Sequence, residues 1–122
     1  MYKSRISGVG HYVPPKVVTN EDLSKLMETS DEWIVERTGI KERRFSEVKV
    51  DTPSVMGTKA ARVALERAGL VPEDLDFIVF ATLSPDYYFP GPGVMVQDQL
   101  GIPEIGALDV RNQCSGFVYG IS

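Results

Sequence analysis

The chain holds one cysteine, Cys114, at the head of the run CSGFVYGIS. It follows a short apolar stretch that ends in a polar turn, so a strand is expected to hand over to a helix there. The sulfur would then face the free N–H groups and positive end of the helix dipole. Positions of that kind favour the nucleophilic thiolate, and the same amides can hold a developing oxyanion on an acyl substrate. The opposing reading is a small buried hydrophobe, and position alone divides the two evenly. Gly116 and Gly120 would give this helix a bare face for close backbone packing. A cysteine nucleophile calls for a base, and His11 is the only histidine. It lies between Gly10 and Tyr12, and nothing in the sequence brings it to Cys114, so a structural or solvated role is the better reading. Asn112 stands two residues before the cysteine, and Asn20 is expected to cap a helix. A complete Cys–His pair is not legible.

A second group could bind rather than react. Trp33 and Arg37 fall at i and i+4, with Thr29 at the mouth of the same expected helix. An indole face and a guanidinium on one side could cradle an adenine ring and a phosphate. Taken alone, the pair favours a Trp half in the core with Arg lying over it. Lys41, Arg43 and Arg44 read as a solvated loop that could attract an acidic partner. Gly8 and Gly10 lack the third glycine of a dinucleotide fingerprint, and a proline pair stands where the helix should begin. The aromatic loop Tyr87-Tyr88-Phe89-Pro90-Gly91 suits an interface better than a ring-shaped ligand.

The elements that must position these residues follow from pattern. Residues 5–13, rich in β-branched residues and closed by Pro14-Pro15, predict a first strand. Asn20 would cap a short helix over 21–27. Ser30 caps a second, with Asp31 and Glu32 in its first turn and Gly39 as its left-handed end. Residues 41–52 are charged and read as an exposed connection. Asp51 or Thr52, then Pro53, open a helix whose Met56, Ala60, Val63, Ala64 and Ala68 share one stripe before Gly69. The apolar run 77–82 predicts a strand buried on both faces. Residues 92–100, closed by Gly101, predict a helix, and 107–110 a second buried strand. That spacing is a βαβ crossover and the class is α/β.

Composition excludes other roles. With 122 residues, 43% hydrophobic and 25% charged, the chain supports one modest core. A net charge of −4 disfavours nucleic acid and anionic membranes as partners. One cysteine and one histidine cannot build an ordinary zinc site, and a lone thiol suits a reducing compartment. No signal segment or run of eighteen apolar residues is present, so the reading is a soluble cytosolic protein. The final helix is short and unpunctuated, from which the chain is expected to be the first part of a longer polypeptide whose continuation covers the sheet.

Three stretches carry a resemblance: TSDEWIVERTGIKERR (29–44), FPGPGVMVQDQLG (89–101) and DVRNQCSGF (109–117). In order and spacing they resemble the β-ketoacyl-acyl-carrier-protein synthases of type III, in the thiolase superfamily, and the similarity runs through all 122 residues. It implies the N-terminal part of a thiolase-like fold: a mixed, mostly parallel sheet packed with helices, αβαβα layered in the complete protein. The implied activity is an acyltransferase that starts fatty acid synthesis. An acyl group, acetyl by expectation, passes from coenzyme A to the cysteine and condenses with malonyl-acyl carrier protein, with loss of CO2. Cys114 matches the acylated nucleophile, Trp33 the residue stacked on the adenine of coenzyme A, and Thr29 and Arg37 its companions. Phe89 matches an aromatic that crosses a homodimer interface to wall the partner's acyl pocket. No metal or cofactor is implied beyond the coenzyme A thioester substrate, and the protein would be cytoplasmic. The family's His and Asn for the condensation lie in a second half outside this chain, so the chain alone is expected to accept an acyl group without condensing it. Arg111-Asn112-Gln113 replaces small residues before the cysteine and would alter the acyl pocket. The alternatives are a superfamily relative that transfers acyl groups or makes a secondary metabolite, and a non-catalytic dimerisation half.

Overall fold

The computed structural model describes residues 4–122, which fall into two compact units, 13–51 and the combination of 4–12 with 52–122.

In the unit 13–51, strand β1 (Lys16–Thr19) pairs antiparallel with β2 (Glu42–Phe45), flanking helices α1 (Asn20–Ser24) and α2 (Asp31–Thr38). The charged connection expected over 41–52 is therefore partly a strand. Pairing with β1 satisfies its backbone, which overrides the polar composition. The N-cap of α1 is Thr19, not Asn20. Thr19 Oγ1 accepts the Asp22 N–H at 3.1 Å and the Asp22 carboxylate accepts the Thr19 N–H at 3.1 Å, a reciprocal capping box. These bonds, the Thr19 N–H foremost and then its hydroxyl and Lys25, hold Asp22 below the usual carboxylate range. Asn20 is instead 1% exposed. Its amide donates to Asp31 Oδ1 at 2.7 Å and the Ile40 carbonyl at 2.8 Å, and its oxygen accepts from Arg43 at 2.6 Å. Arg43 also reaches the Val18 carbonyl at 3.2 Å, and Arg44 the carbonyls of Pro14 and Pro15 at 3.4 Å. These two cations brace the unit; they are not a solvated loop. Around α2 the expectation holds: Ser30 accepts the Trp33 N–H at 3.1 Å and Gly39 closes the helix at φ 70°.

The other unit is built on parallel strands β3 (Phe77–Ala81) and β4 (Gly106–Val110), joined through α4 (Pro92–Leu100) and packed with α3 (Pro53–Ala68). This is the expected α/β crossover, with both long helices where the sequence put them. Val96, Leu100 and Ile102 form the core, against Ala61, Leu75, Ile78, Phe80 and Ile105. Only one face of β3 is packed in this way. Phe77 and Val79 point to the other face and are exposed, so the expected burial on both faces is not met. Helix α5 (Gly116–Ile121) touches that second face where Gly116 meets Ala81. Gly120, the other half of the expected bare face, has nothing near it among the described residues.

No strand forms over 5–13. This stretch lies along α3, where Gly8 and Gly10 approach so closely that a Cβ at either would overlap the carbonyl of Ala64 or Ala60. Arg67 donates to the Val9 carbonyl at 2.9 Å, and the Lys59 ammonium sits 4.1 Å from the Tyr12 ring centroid. Close packing on α3 and the single bond to the Val9 carbonyl hold the segment there, and among the described residues no strand pairs with it.

Candidate active site

Cys114 is exposed. It occupies the middle of a single 3₁₀ turn, Gln113–Ser115, between the end of β4 and the start of α5. The cysteine was expected to open the helix directly; the structure inserts this turn, and α5 begins two residues later. The turn is tight because Gln113 takes φ 39°, a costly region for a residue with a side chain. The Asn112 carbonyl accepts both the Gly116 N–H at 3.1 Å and the Ser115 hydroxyl at 2.8 Å, which pins the turn around the cysteine. Among the described residues nothing buries Cys114. His11 is exposed in the irregular stretch along α3, not at a strand end.

Two carboxylates that the sequence reading passed over shape the surroundings. Asp109, inside β4, accepts the Gly93 N–H at 2.9 Å and so caps the start of α4, where the N-cap residue Gly91 has no side chain to do so. Its carboxylate fills the space where a Cβ on Gly91 would stand, so a side chain there would have to displace the Asp109 carboxylate. Asp86 does the same for α3, accepting the Ser54 N–H at 2.8 Å and the Ser54 hydroxyl at 2.7 Å. Burial opposes its ionisation, but hydrogen bonds from Thr52 and Ser54 prevail and hold the carboxyl below its ordinary range. A charged residue in an otherwise apolar strand was the available signal for Asp109. Asp86 lies 32 residues from Ser54, and no local pattern announces it. The loop between these anchors carries Tyr88 and Phe89. Phe89 is 92% exposed. Arg111 donates to the Tyr88 carbonyl at 2.9 Å and its guanidinium carbon lies 4.9 Å from the Tyr88 ring centroid.

In the other unit, Thr29 and Trp33 line a groove of about 510 Å³ with Met27, Glu28 and Ser30. The Arg37 guanidinium lies 4.4 Å over the Trp33 ring, which is the cation–π cover foreseen as the plainer alternative. Trp33 is 53% exposed, about half covered, which leaves part of its surface open beside the groove. Thr29, Trp33 and Arg37 are thus brought together on and before α2.

Among the described residues, no group of three or more His, Cys, Asp or Glu side chains is placed to hold a metal ion, and no helix is long and apolar enough to cross a membrane. No protein-family model matches the chain. It is 50% identical over 116 residues to "Beta-ketoacyl-[acyl-carrier-protein] synthase III 1" of Bacillus cereus, covering 95% of this chain and 37% of that protein. To a synthase III of Clostridium beijerinckii it is 48% identical over 121 residues, 99% of this chain and 37% of the relative. The chain therefore spans a little over a third of the length of these relatives. Among solved structures, 3-oxoacyl-[acyl-carrier-protein] synthase III of Aquifex aeolicus superposes with a TM-score of 0.88 at 49% identity, over 93% of this chain and 36% of that one. A priming β-ketosynthase of a polyketide biosynthetic pathway superposes with a TM-score of 0.89 at 36% identity, over 94% and 34%. In sequence and in fold, the chain corresponds to the N-terminal part of the β-ketoacyl-[acyl-carrier-protein] synthases III, a family of thiolase-like fold.

Proposed function

We propose that this chain supplies the nucleophile and nucleotide-binding part of a β-ketoacyl-acyl-carrier-protein synthase III, a cytoplasmic homodimeric acyltransferase of fatty acid initiation. The observation that carries the reading is an exposed Cys114 on a strand-to-helix turn, in a chain half identical to such synthases. In the first half-reaction the Cys114 thiolate attacks the thioester carbonyl of acyl-coenzyme A. The tetrahedral oxyanion collapses, the carbon–sulfur bond to coenzyme A breaks, and coenzyme A leaves as a thiol after taking up a proton. Trp33 stacks on the adenine while Arg37 and Thr29 hold the nucleotide, and Phe89 walls the acyl pocket across the dimer. In the second half-reaction malonyl-acyl carrier protein loses CO2. The resulting enolate carbon attacks the acyl-cysteine carbonyl and expels the Cys114 thiolate, assisted by a His and an Asn outside this chain.

Intact-mass measurement of the full-length protein after incubation with acetyl-coenzyme A tests the first step. One acetyl group should be gained and should disappear in Cys114→Ser. A wild-type protein that gains no mass with any acyl-coenzyme A would be the non-catalytic half. The likeness to the polyketide priming enzyme favours a second reading, a synthase of secondary metabolism. Acylation by longer primers in preference to acetyl would select it.

A further inference from the structure

The loop after β3 is fixed at both ends: Asp86 bonds Ser54 on α3, and Asp109 bonds Gly93 at the start of α4. Between these anchors the side chains of Tyr88 and Phe89 are 77% and 92% exposed, so packing does little to place them. One side chain grips this middle. Arg111 donates from Nη2 to the Tyr88 carbonyl at 2.9 Å while its guanidinium lies 4.9 Å from the Tyr88 ring centroid. A planar guanidinium can serve a carbonyl in its plane and a ring at its face together, which an ammonium cannot. Arg111 is also three residues before Cys114, one residue past the end of β4. The same short stretch of backbone therefore carries both the nucleophile and the clasp on the loop.

We infer that Arg111 is a positioning residue that sets acyl-chain selectivity by clasping Tyr88 and thereby holding the neighbouring Phe89 where it walls the acyl pocket across the dimer. The inference rests on the acyl transfer proposed above. A pocket wall discriminates chain length only if it is held still, because a wall that yields admits the longer chain. The clasp lies outside the hydrophobic core formed by Val96, Leu100 and Ile102, and removing it should loosen the loop without unfolding that core.

The test uses the full-length enzyme and two readouts: the rate of Cys114 acylation by acetyl- through octanoyl-coenzyme A, and amide hydrogen exchange over residues 87–89. In Arg111→Ala, exchange should quicken and the rate ratio between the preferred primer and its neighbours should fall by about threefold to tenfold, the factor carried by one net hydrogen bond. Arg111→Lys should recover part of that ratio. Tyr88→Phe, which keeps ring and carbonyl, should match the wild type in both. Wild-type selectivity in Arg111→Ala overturns the inference, whether or not exchange has quickened. Failure of the wild type itself to be acylated by any primer overturns the acyl-transfer reading instead.

Discussion

Asp86 binds Ser54 twice, at 2.8 Å through the backbone N–H and at 2.7 Å through the hydroxyl, across 32 residues of sequence. Thr52, the residue in N-cap position on α3, makes no side-chain bond to the helix backbone, so a loop carboxylate does the work of a cap. Ser54 is fully buried and also accepts from Gln99 at 3.0 Å, which extends the tie to α4. The longest helix of the chain is thus started by the loop that carries Tyr88 and Phe89.

Asp86→Ala should cost about 1–2 kcal/mol, the usual worth of a helix cap. The folded-state pKa of Asp86 is depressed, so its contribution is complete above the ordinary carboxylate range and lost as pH falls through the lower, folded value. Urea denaturation between pH 6 and pH 3 should show the gap between wild type and variant closing toward the acid end. A gap of constant size would deny the carboxylate its role.

Trp33→Ala should weaken coenzyme A binding by about 1–3 kcal/mol, the range for a base stacked on an aromatic ring. Titration calorimetry on the full-length protein measures it. For the adenine to stack, Arg37 must share or leave the ring face it now covers at 4.4 Å. Arg37→Ala should therefore weaken the phosphate grip while leaving more of the ring open. Unchanged affinity in Trp33→Ala removes the groove from the binding site.

Gly10→Ala should destabilise the protein by about 1–3 kcal/mol, because the added methyl has only the α3 backbone at Ala60 and Ala64 to meet. The glycine at 39, in the left-handed region with nothing near its Cβ position, fails for a different reason when replaced: strain in φ, not contact. Thermal melts of Gly10→Ala, Gly39→Ala and Gly39→Asn separate the causes: asparagine tolerates the left-handed region, so it should recover part of the loss at 39.

Asn20→Ala should cost about 1–3 kcal/mol by leaving Asp31, the Ile40 carbonyl and Arg43 each short of a partner. Asn20→Asp should fare no better near neutral pH, since it trades the amide donor facing Asp31 for a second carboxylate. Chemical denaturation at pH 7 compares them.

Features that depend on neighbours a few residues away were legible in the residues alone. Pro53 and Gly69 bound α3, Ser30 and Gly39 bound α2, and Gly101 ends α4, because caps and left-handed closures are local chemistry. The apolar run that became β3 was legible for the same reason, and the three long motifs carried the kinship. Tertiary structure decided the rest. A backbone can satisfy its N–H and C=O groups with distant partners that no short pattern reveals. Residues 5–13 found a helix where a strand was expected, residues 42–45 found β1, and Asn20 exchanged a cap for a buried junction. The open position of Cys114 was of this second kind. It depends on a turn in which Gln113 adopts φ 39° and one carbonyl, that of Asn112, accepts two donors.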